Sequence, residues 1–241
     1  MSLHTLPRLH AALTREDAAE NHELTMTPEQ ARYLGSVLRR ESGDEIRLFS
    51  AEAGEWLARI DAVRKDRGSF RLVRNLRLPA PETGPVLAFA LLKRDATDLV
   101  VRMGTELGVS RFMPVMTERT MASRVNVSRL ETIAMEASEQ CERLSVPSVD
   151  EPVRLAEFLG SWPEEAGLYV AVERYRAETR DQFAKIRPGD GLLTGPEGGF
   201  SDTELDVLRS RTFVTTVSLG STVLRAETAV VAGLALMTVN A

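Results

Sequence analysis

Two stretches of this 241-residue chain set glycines and charged groups between an apolar run and the start of a helix. The first is Leu193-Thr194-Gly195-Pro196-Glu197-Gly198-Gly199-Phe200. Its glycines allow positive φ and let backbone approach a ligand closely. The spacing fits neither the Walker A nor the dinucleotide glycine pattern, and Glu197 at its centre would repel phosphate. A neutral adenosine or a cationic ligand suits that charge. Taken alone, the glycines favour a plain strand-to-helix turn. The second stretch is Leu219-Gly220-Ser221-Thr222-Val223-Leu224-Arg225-Ala226-Glu227-Thr228. Arg225 and Glu227 stand at the threshold of a strongly apolar helix, where charges need partners or serve a ligand; the plainer reading is a helix start with Glu227 favouring the dipole. Two such loops at the carboxyl ends of strands in one α/β region tip the balance toward a binding site.

The remaining chemistry is bounded by what the chain lacks. His4, His10 and His22 are its only histidines, so the rest of the chain works without imidazole and a Ser-His-Asp or Cys-His site is excluded there. Cys141 is alone, which excludes an intrachain disulfide and a Cys-based zinc cluster, and no metal is expected. Hydrophobic residues at 43% and charged residues at 27% are the proportions of a globular protein. The longest apolar run, Ala229 to Met237, is far below the ~20 residues a membrane span needs, and no charged-then-apolar opening suggests a secretory signal. A cytoplasmic protein without membrane association is the expectation.

The elements that must position these loops read as two domains. Arg77 to Pro85, with three prolines and a glycine, is the linker. Before it, Thr27-Pro28-Glu29-Gln30 opens a helix with a capping box. Ala31, Leu34, Val37 and Leu38 form its apolar face, and Gly43 is placed to end it. Strands are expected over 45–49, 55–63 and 69–73, where Ile46/Leu48 and Trp56/Ala58/Ile60 alternate with polar residues. Short strands with turns suggest a small barrel. After the linker, 86–91 is a continuous apolar run typical of a strand covered on both faces. Leu99, Val100, Met103 and Leu107 share a helical face that Gly108 ends. Phe112 to Met116 is a strand that Pro114 demotes toward an edge or bulge. Ser128 to Glu131 reads as a capping box, with Leu130, Ile133, Ala134, Ala137 and Cys141 on one side of its helix. Further strands are expected at 168–172, 192–194 and 214–219, a helix from Ser201-Asp-Thr-Glu204, and a final helix from Glu227 to Val239 that is apolar nearly all round. Alternating strands and helices imply a mainly parallel sheet covered on both faces.

Charge is uneven. Residues 1–79 carry 13 Lys+Arg against 12 Asp+Glu and the remainder 17 against 23, giving the net −5. Within the first part, Arg64, Lys65, Arg67, Arg71, Arg74 and Arg77 are opposed in sequence only by Asp66, the footprint of a phosphate-binding strip or of a solvated strand face.

Read in order, Pro7-Arg8-Leu9, Val37-Leu38-Arg39 with Gly43-Asp44, Thr105-Glu106-Leu107-Gly108-Val109, Thr117-Glu118-Arg119, Glu136-Ala137-Ser138-Glu139-Gln140 and the two glycine loops resemble the RsmE-type 16S rRNA methyltransferases. These are SPOUT-class enzymes that methylate N3 of a uridine with S-adenosylmethionine (SAM). The resemblance covers nearly the whole chain, and its specificity lies in the order and spacing of motifs that are weak singly. Tyr33, Met103 and Leu130 depart from the family pattern, where histidine, a basic residue and tryptophan are usual; the first two bear on RNA contacts and the third on the core.

The resemblance implies a PUA-like β-barrel RNA-binding domain over residues 1–77 and a linker at 78–85. It implies an α/β SPOUT domain with a C-terminal trefoil knot over 86–241, working as a homodimer on 16S rRNA or the small ribosomal subunit. It assigns cofactor binding to Leu193, Thr194, Gly195, Pro196, Glu197, Gly198, Gly199, Leu219, Gly220, Ser221, Val223, Leu224 and Thr228. Arg225 would stabilise negative charge on the uracil ring, with Glu197 or Glu227 as base or as the group that orients Arg225. Candidate RNA contacts are Arg8, Arg39, Arg40, Arg64, Lys65, Arg67, Arg71, Arg119 and Arg124. A methyltransferase acting on a ribose 2′-hydroxyl or a tRNA base, and a noncatalytic RNA-binding assembly factor, are the competing readings.

Overall fold

A computed structural model of the chain describes residues 3–80, 83–122, 124–172, 183 and 186–239. Pro81 and Glu82 of the expected linker lie outside the described residues. The chain forms two compact units: residues up to 81 together with Ser138–Ser145, and residues 82–137 together with the rest from Val146.

The first unit contains β1 (Arg8–His10), β2 (Glu23–Thr25), α1 (Pro28–Arg32), β3 (Glu45–Ser50), β4 (Gly54–Arg64) and β5 (Arg67–Arg77). They form one sheet in the order β1-β3-β4-β5-β2, antiparallel except for the β1–β3 pair. Register shifts at three points of the β4–β5 ladder mark bulges, which bend strands. That curl lets all five strands share one core: Leu9, Ile46, Leu48, Trp56, Ala58, Ile60, Phe70 and Leu72 are buried together, with Leu24 packed against them. The alternating residues of β3 and β4 face inward as their pattern requires.

Helix α1 has its capping box, with Thr27 Oγ1 accepting from the Gln30 amide at 3.2 Å and the Gln30 side chain accepting from the Thr27 amide at 2.9 Å. It runs on as a π-helical turn, Tyr33–Val37. Gly43 does not end this helix. Leu38 closes it, Arg39 follows with φ 52°, and Gly43, at φ 96°, serves the turn into β3.

Arg8, expected at RNA, is instead buried in a charge cluster. Its Nε donates to Glu55 Oε1 at 3.0 Å, its Nη atoms donate to the carbonyls of Ser138 and Arg143 at 2.8 and 2.6 Å, and its guanidinium lies 3.6 Å over the Phe49 ring. Arg47 and Arg77 donate to the same Glu55 carboxylate at 3.2 Å each, and Arg47 reaches Glu142 at 2.7 Å. These bonds hold Ser138–Ser145 in the first unit. They also take Arg77 out of the basic strip. Arg71 is paired with Asp61 and Glu23, acids distant in sequence that the β4–β5 and β2–β5 pairings bring beside it. Arg39, Arg64, Lys65, Arg67 and Arg74 are exposed.

His10 packs edge-on against Phe49, with ring centroids 5.5 Å apart, and burial together with the charge of Arg8 holds its imidazole below the ordinary pKa. The unfolded chain then binds the proton more readily, with a pKa of about 6.5. Stability is therefore full above that value and falls as pH drops through the lower folded pKa. Urea midpoints are expected to decrease between pH 7.5 and 5.5, and His10→Gln to reduce that decrease. An unchanged pH dependence in the variant would assign the loss to other groups.

The second unit alternates β6 (Val86–Ala90), α2 (Arg94–Glu106), β7 (Arg111–Met116), α3 (Val127–Gln140), β8 (Ser148–Val149), β9 (Val153–Arg154), α4 (Leu155–Ser161), β10 (Leu168–Ala171), β11 (Gly191–Thr194), α5 (Asp202–Arg209), β12 (Val214–Val217) and α6 (Ala226–Val239). The sheet order is β12-β10-β11-β6-β7-β8, with β9 also on β7, and every pair is parallel. The apolar runs are continuous because successive residues enter different cores. Leu87, Phe89, Tyr169 and Leu192 join the core under α2, α3 and α6, while Ala88, Val170 and Leu193 join the core under α4 and α5. Among the described residues no helix is long and apolar enough to cross a membrane.

Tertiary packing overrides local pattern at four places. Helix α2 buries Thr97, Val100, Val101, Gly104 and Thr105, and leaves Leu99 37% exposed. A Cβ on Gly104 would meet Phe112 Cε1 at 2.7 Å, so the helix turns its narrowest point toward the sheet. Pro114 sits inside the sheet rather than at an edge, paired with Phe89 of β6. On its other side the neighbour is split, with Val149 opposite Phe112 and Val153 opposite Val115, so no partner faces the missing N–H. Helix α3 is capped by Asn126, whose Oδ1 accepts from the Arg129 amide at 3.0 Å, and not by Ser128. Cys141 lies beyond that helix and is exposed rather than on its apolar side.

Candidate functional site

The sheet reverses its winding at β6, which has β7 on one side and β11 on the other. Crevices outside the carboxyl ends of strands at such a reversal are where open α/β sheets hold ligands. A cavity of 930 Å³ lies there, and its wall comes from five strand ends. Lys93 and Ala96 follow β6, Arg119 follows β7, Ala171 and Val172 end β10, Thr194 to Phe200 follow β11, and Ser218 to Gly220 follow β12.

The β11 loop is shaped by its glycines. A Cβ on Gly195 would lie 3.1 Å from the Phe200 ring, and Gly199 has φ 67° with its amide donating to the Pro196 carbonyl at 2.9 Å. Ser201 and Glu204 then cap α5 reciprocally, with Glu204 Oε2 accepting from the Ser201 amide at 2.9 Å. The β12 loop turns at Gly220, φ 132°, and delivers Thr222, Val223, Leu224 and Arg225 to the same wall before α6 begins. Arg225 is the residue just ahead of that helix, its carbonyl accepting from the Ala229 amide at 2.8 Å. Helix α6 is seated by Gly233, where a Cβ would come 2.6 Å from Leu192 of β11, so both loops spring from one rigid pair of elements.

The structure brings Thr194, Gly195, Pro196, Glu197, Gly198, Gly199, Leu219, Gly220, Val223, Leu224, Arg225 and Glu227 together around one cavity. It does not bring Leu193, Ser221 or Thr228 to that wall. Leu193 points its side chain into the core under α4 and α5. Ser221 is passed over between Gly220 and Thr222, and helical geometry puts Ala226, Glu227 and Ala229 on the wall while Thr228 faces solvent.

Arg119, expected at an RNA backbone, instead donates through Nη1 to the carbonyls of Gly198 and Phe200 at 2.9 and 3.3 Å. Arg124 is exposed. Lys93, Asp202 and Ser218 are wall residues that motif reading passes over. A signal for Lys93 exists in the sequence: it is the charge that ends the apolar run 86–92, but only the strand order shows that this end faces the other two.

The wall is rich in backbone and sets three acids, Glu197, Asp202 and Glu227, beside three cations, Lys93, Arg225 and the carbonyl-bound Arg119. Such a surface fits a neutral heterocycle joined to a positively charged centre better than a polyphosphate. Among the described residues Arg225 and Lys93 make no ion pair.

Comparison with known proteins agrees with this architecture. Residues 82–238 match the family model described as an RNA methyltransferase domain, and residues 27–73 match an RNA methyltransferase PUA domain. The chain is 32% identical over 222 residues to ribosomal RNA small subunit methyltransferase E of Rickettsia conorii, covering 90% of each chain. It is 34% identical over 223 residues to the Synechocystis protein of that name, covering 88% of this chain and 71% of the relative. Among solved structures, a Legionella pneumophila protein in complex with its bound cofactor SAM superposes with TM-score 0.85 at 28% identity, over 97% of both chains. An N-terminal PUA-like β domain followed by an α/β domain with a parallel sheet is thus a shared plan, and the chain belongs to the ribosomal RNA small subunit methyltransferase E family of RNA methyltransferases.

Proposed function

We propose that the protein methylates N3 of a uridine in 16S ribosomal RNA with SAM as donor, the cavity at the reversal of the sheet being its active site. The observation that carries this reading is the convergence of two glycine turns with Arg225, Glu197 and Glu227 on one wall. The cavity, at 930 Å³, is roomy enough for the cofactor and a nucleobase together. A Cβ at Gly195 would press on the Phe200 ring, and one at Gly199 or Gly220 would strain the backbone at its positive φ. Backbone from Thr194 to Gly199 and from Leu219 to Leu224 would hold the adenosine and bend the methionine tail, and the acids suit its sulfonium. When bound, SAM supplies a methyl carbon already activated by that sulfonium.

The chain's own residues supply position and charge. Uridine N3 carries a proton that has to leave, and a cation within about 4–6 Å lowers such a pKa by ~1–3 units. Arg225 is that cation, stabilising negative charge on the uracil ring. Glu197 or Glu227 takes the proton or orients Arg225. The target base must be splayed out of its stack to enter. A PUA-like domain over residues 1–77, with Arg39, Arg40, Arg64, Lys65 and Arg67 exposed or partly exposed, serves as the RNA grip ahead of a linker at 78–85. Arg71, with its charge partly spent on Asp61 and Glu23, belongs to the same grip, and Arg124 is a separate RNA contact in the second unit. The trefoil knot in 86–241, a homodimer and a cytoplasmic site of action on the small subunit belong to the same reading.

The test has two parts. Calorimetric titration is expected to show SAM binding at one site per chain. Incubation of small-subunit particles and free 16S rRNA with the protein and SAM, followed by nucleoside mass spectrometry, is expected to yield 3-methyluridine. A ribose-methylated product or a modified tRNA would replace the substrate assignment, and absence of SAM binding would end the enzymatic reading.

A further inference from the structure

The cavity wall contains one cation that is already committed. Arg119 sits in a turn closed on itself, the Thr117 amide donating to Thr120 Oγ1 at 3.0 Å and the Thr120 amide to the Thr117 carbonyl at 3.2 Å. From this turn its guanidinium reaches across the end of β6, the strand lying between β7 and β11, to the carbonyls of Gly198 and Phe200. Its stem packs on Gly198, where a Cβ would sit 3.5 Å from both Arg119 Cβ and Cδ. A second bond holds the same two segments together from the other side. Glu204 is buried, and while one carboxylate oxygen caps α5 at Ser201, the other accepts from the Glu118 amide at 2.8 Å. Neighbouring residues of one turn thus engage the glycine loop and the helix cap that follows it.

We propose that Arg119 is a positioning residue for the glycine loop, fixing the conformation in which Gly195 to Gly199 receive the cofactor, with Glu204 as the anchor that keeps the 117–120 turn in reach. This rests on the reading of the cavity as a SAM site. The physical reason is that each of the loop's three glycines loses more conformational entropy on ordering than any other residue type would. A loop ordered before the ligand arrives does not charge that loss to binding. Hydrogen bonds from a guanidinium are stronger than neutral ones and suit this task. The alternative use of Arg119, gripping an RNA phosphate, would require it to release both carbonyls.

The test compares wild type, Arg119→Ala, Arg119→Lys and Glu204→Gln by calorimetric titration with SAM, by steady-state kinetics, and by anisotropy with a fluorescein-labelled 16S rRNA fragment. Arg119→Ala is expected to weaken SAM binding about ten- to hundredfold, the loss of one or two charge-assisted hydrogen bonds. KM for SAM should rise accordingly, kcat at saturating SAM should stay within about threefold, and RNA affinity should be unchanged. Arg119→Lys, which keeps the stem and a donor, should recover part of the SAM affinity. Glu204→Gln should shift SAM affinity in the same direction, and its effect should shrink in the double variant with Arg119→Ala because both act on one contact. Wild-type SAM affinity in Arg119→Ala, or a loss of RNA affinity in its place, overturns the proposal while leaving the SAM site intact. Failure of the wild type itself to take up SAM overturns the reading on which it rests. If Arg119→Ala does not fold, Arg119→Lys and Glu204→Gln decide the matter alone.

Discussion

Arg225→Ala is expected to lower single-turnover methylation by about 10²- to 10³-fold, the usual cost of removing one group aimed at developing charge. SAM affinity should remain within about threefold of wild type, because the loops proposed to hold the cofactor would do so through backbone. The position of Arg225 supports this split. It immediately precedes α6, where Ser, Thr, Asp or Asn would satisfy the free amides. A cation there also opposes the positive end of the helix dipole. A residue unfavourable for the helix, lining the cavity and without an ion pair among the described residues, is what the proposed contact with substrate would explain. Rapid-quench measurement of product with saturating SAM checks the rate, and calorimetry checks the affinity. Near-normal turnover would remove Arg225 from the chemistry. Loss of turnover and SAM affinity together would make it a cofactor ligand.

Glu55→Ala is expected to destabilise the first unit by about 3–5 kcal/mol, the range for breaking a buried ion pair by deleting one partner. The Glu55 side chain is 2% exposed and accepts from Arg8, Arg47 and Arg77. Removing it leaves Arg8 and Arg47, both buried, without their common counter-charge, while Arg77 is half exposed and recovers hydration. Arg8 keeps its bonds to the carbonyls of Ser138 and Arg143, and Arg47 keeps Glu142, which limits the loss. Urea unfolding followed by the fluorescence of Trp56, which lies in this unit's core, measures the change. A loss under about 1 kcal/mol would mean that the arginines regain water without the carboxylate and that the cluster is not a buried network.

These two variants separate the two kinds of charge in the molecule. The arginines near the start of the chain look alike in sequence, yet Arg8 is spent inside the fold, Arg71 is paired across the sheet and Arg64 is exposed. Pairing partners such as Glu23, Glu55 and Asp61 are set by strand register, which charge counting along the sequence does not contain. Arg119 is the same lesson in the second unit, where its partners are carbonyls that carry no side-chain signal.

What the sequence determined by itself is what local physics specifies. The alternation of Ile46/Leu48 and Trp56/Ala58/Ile60 dictates strands with one buried face. The unbroken runs at 86–91 and 192–194 dictate strands buried on both. Thr27 and Ser201 dictate helix starts through their own capping boxes, and the glycine loops mark tight turns because glycine adopts positive φ without strain, as Gly199 and Gly220 do. What only the tertiary structure decided depends on residues far apart in the chain. Gly104 rather than Leu99 faces the sheet, because the closest approach to Phe112 selects the helix face. Pro114 can lie inside the sheet because β8 and β9 leave a gap beside it. Five strand ends meet at one cavity because the order reverses at β6, and that reversal brings Lys93 and Arg119 to a wall that the two glycine loops alone do not complete. Hydrophobic period and capping are properties of a window of residues. Strand order, register and the partner of a charge are properties of the whole chain packed at once.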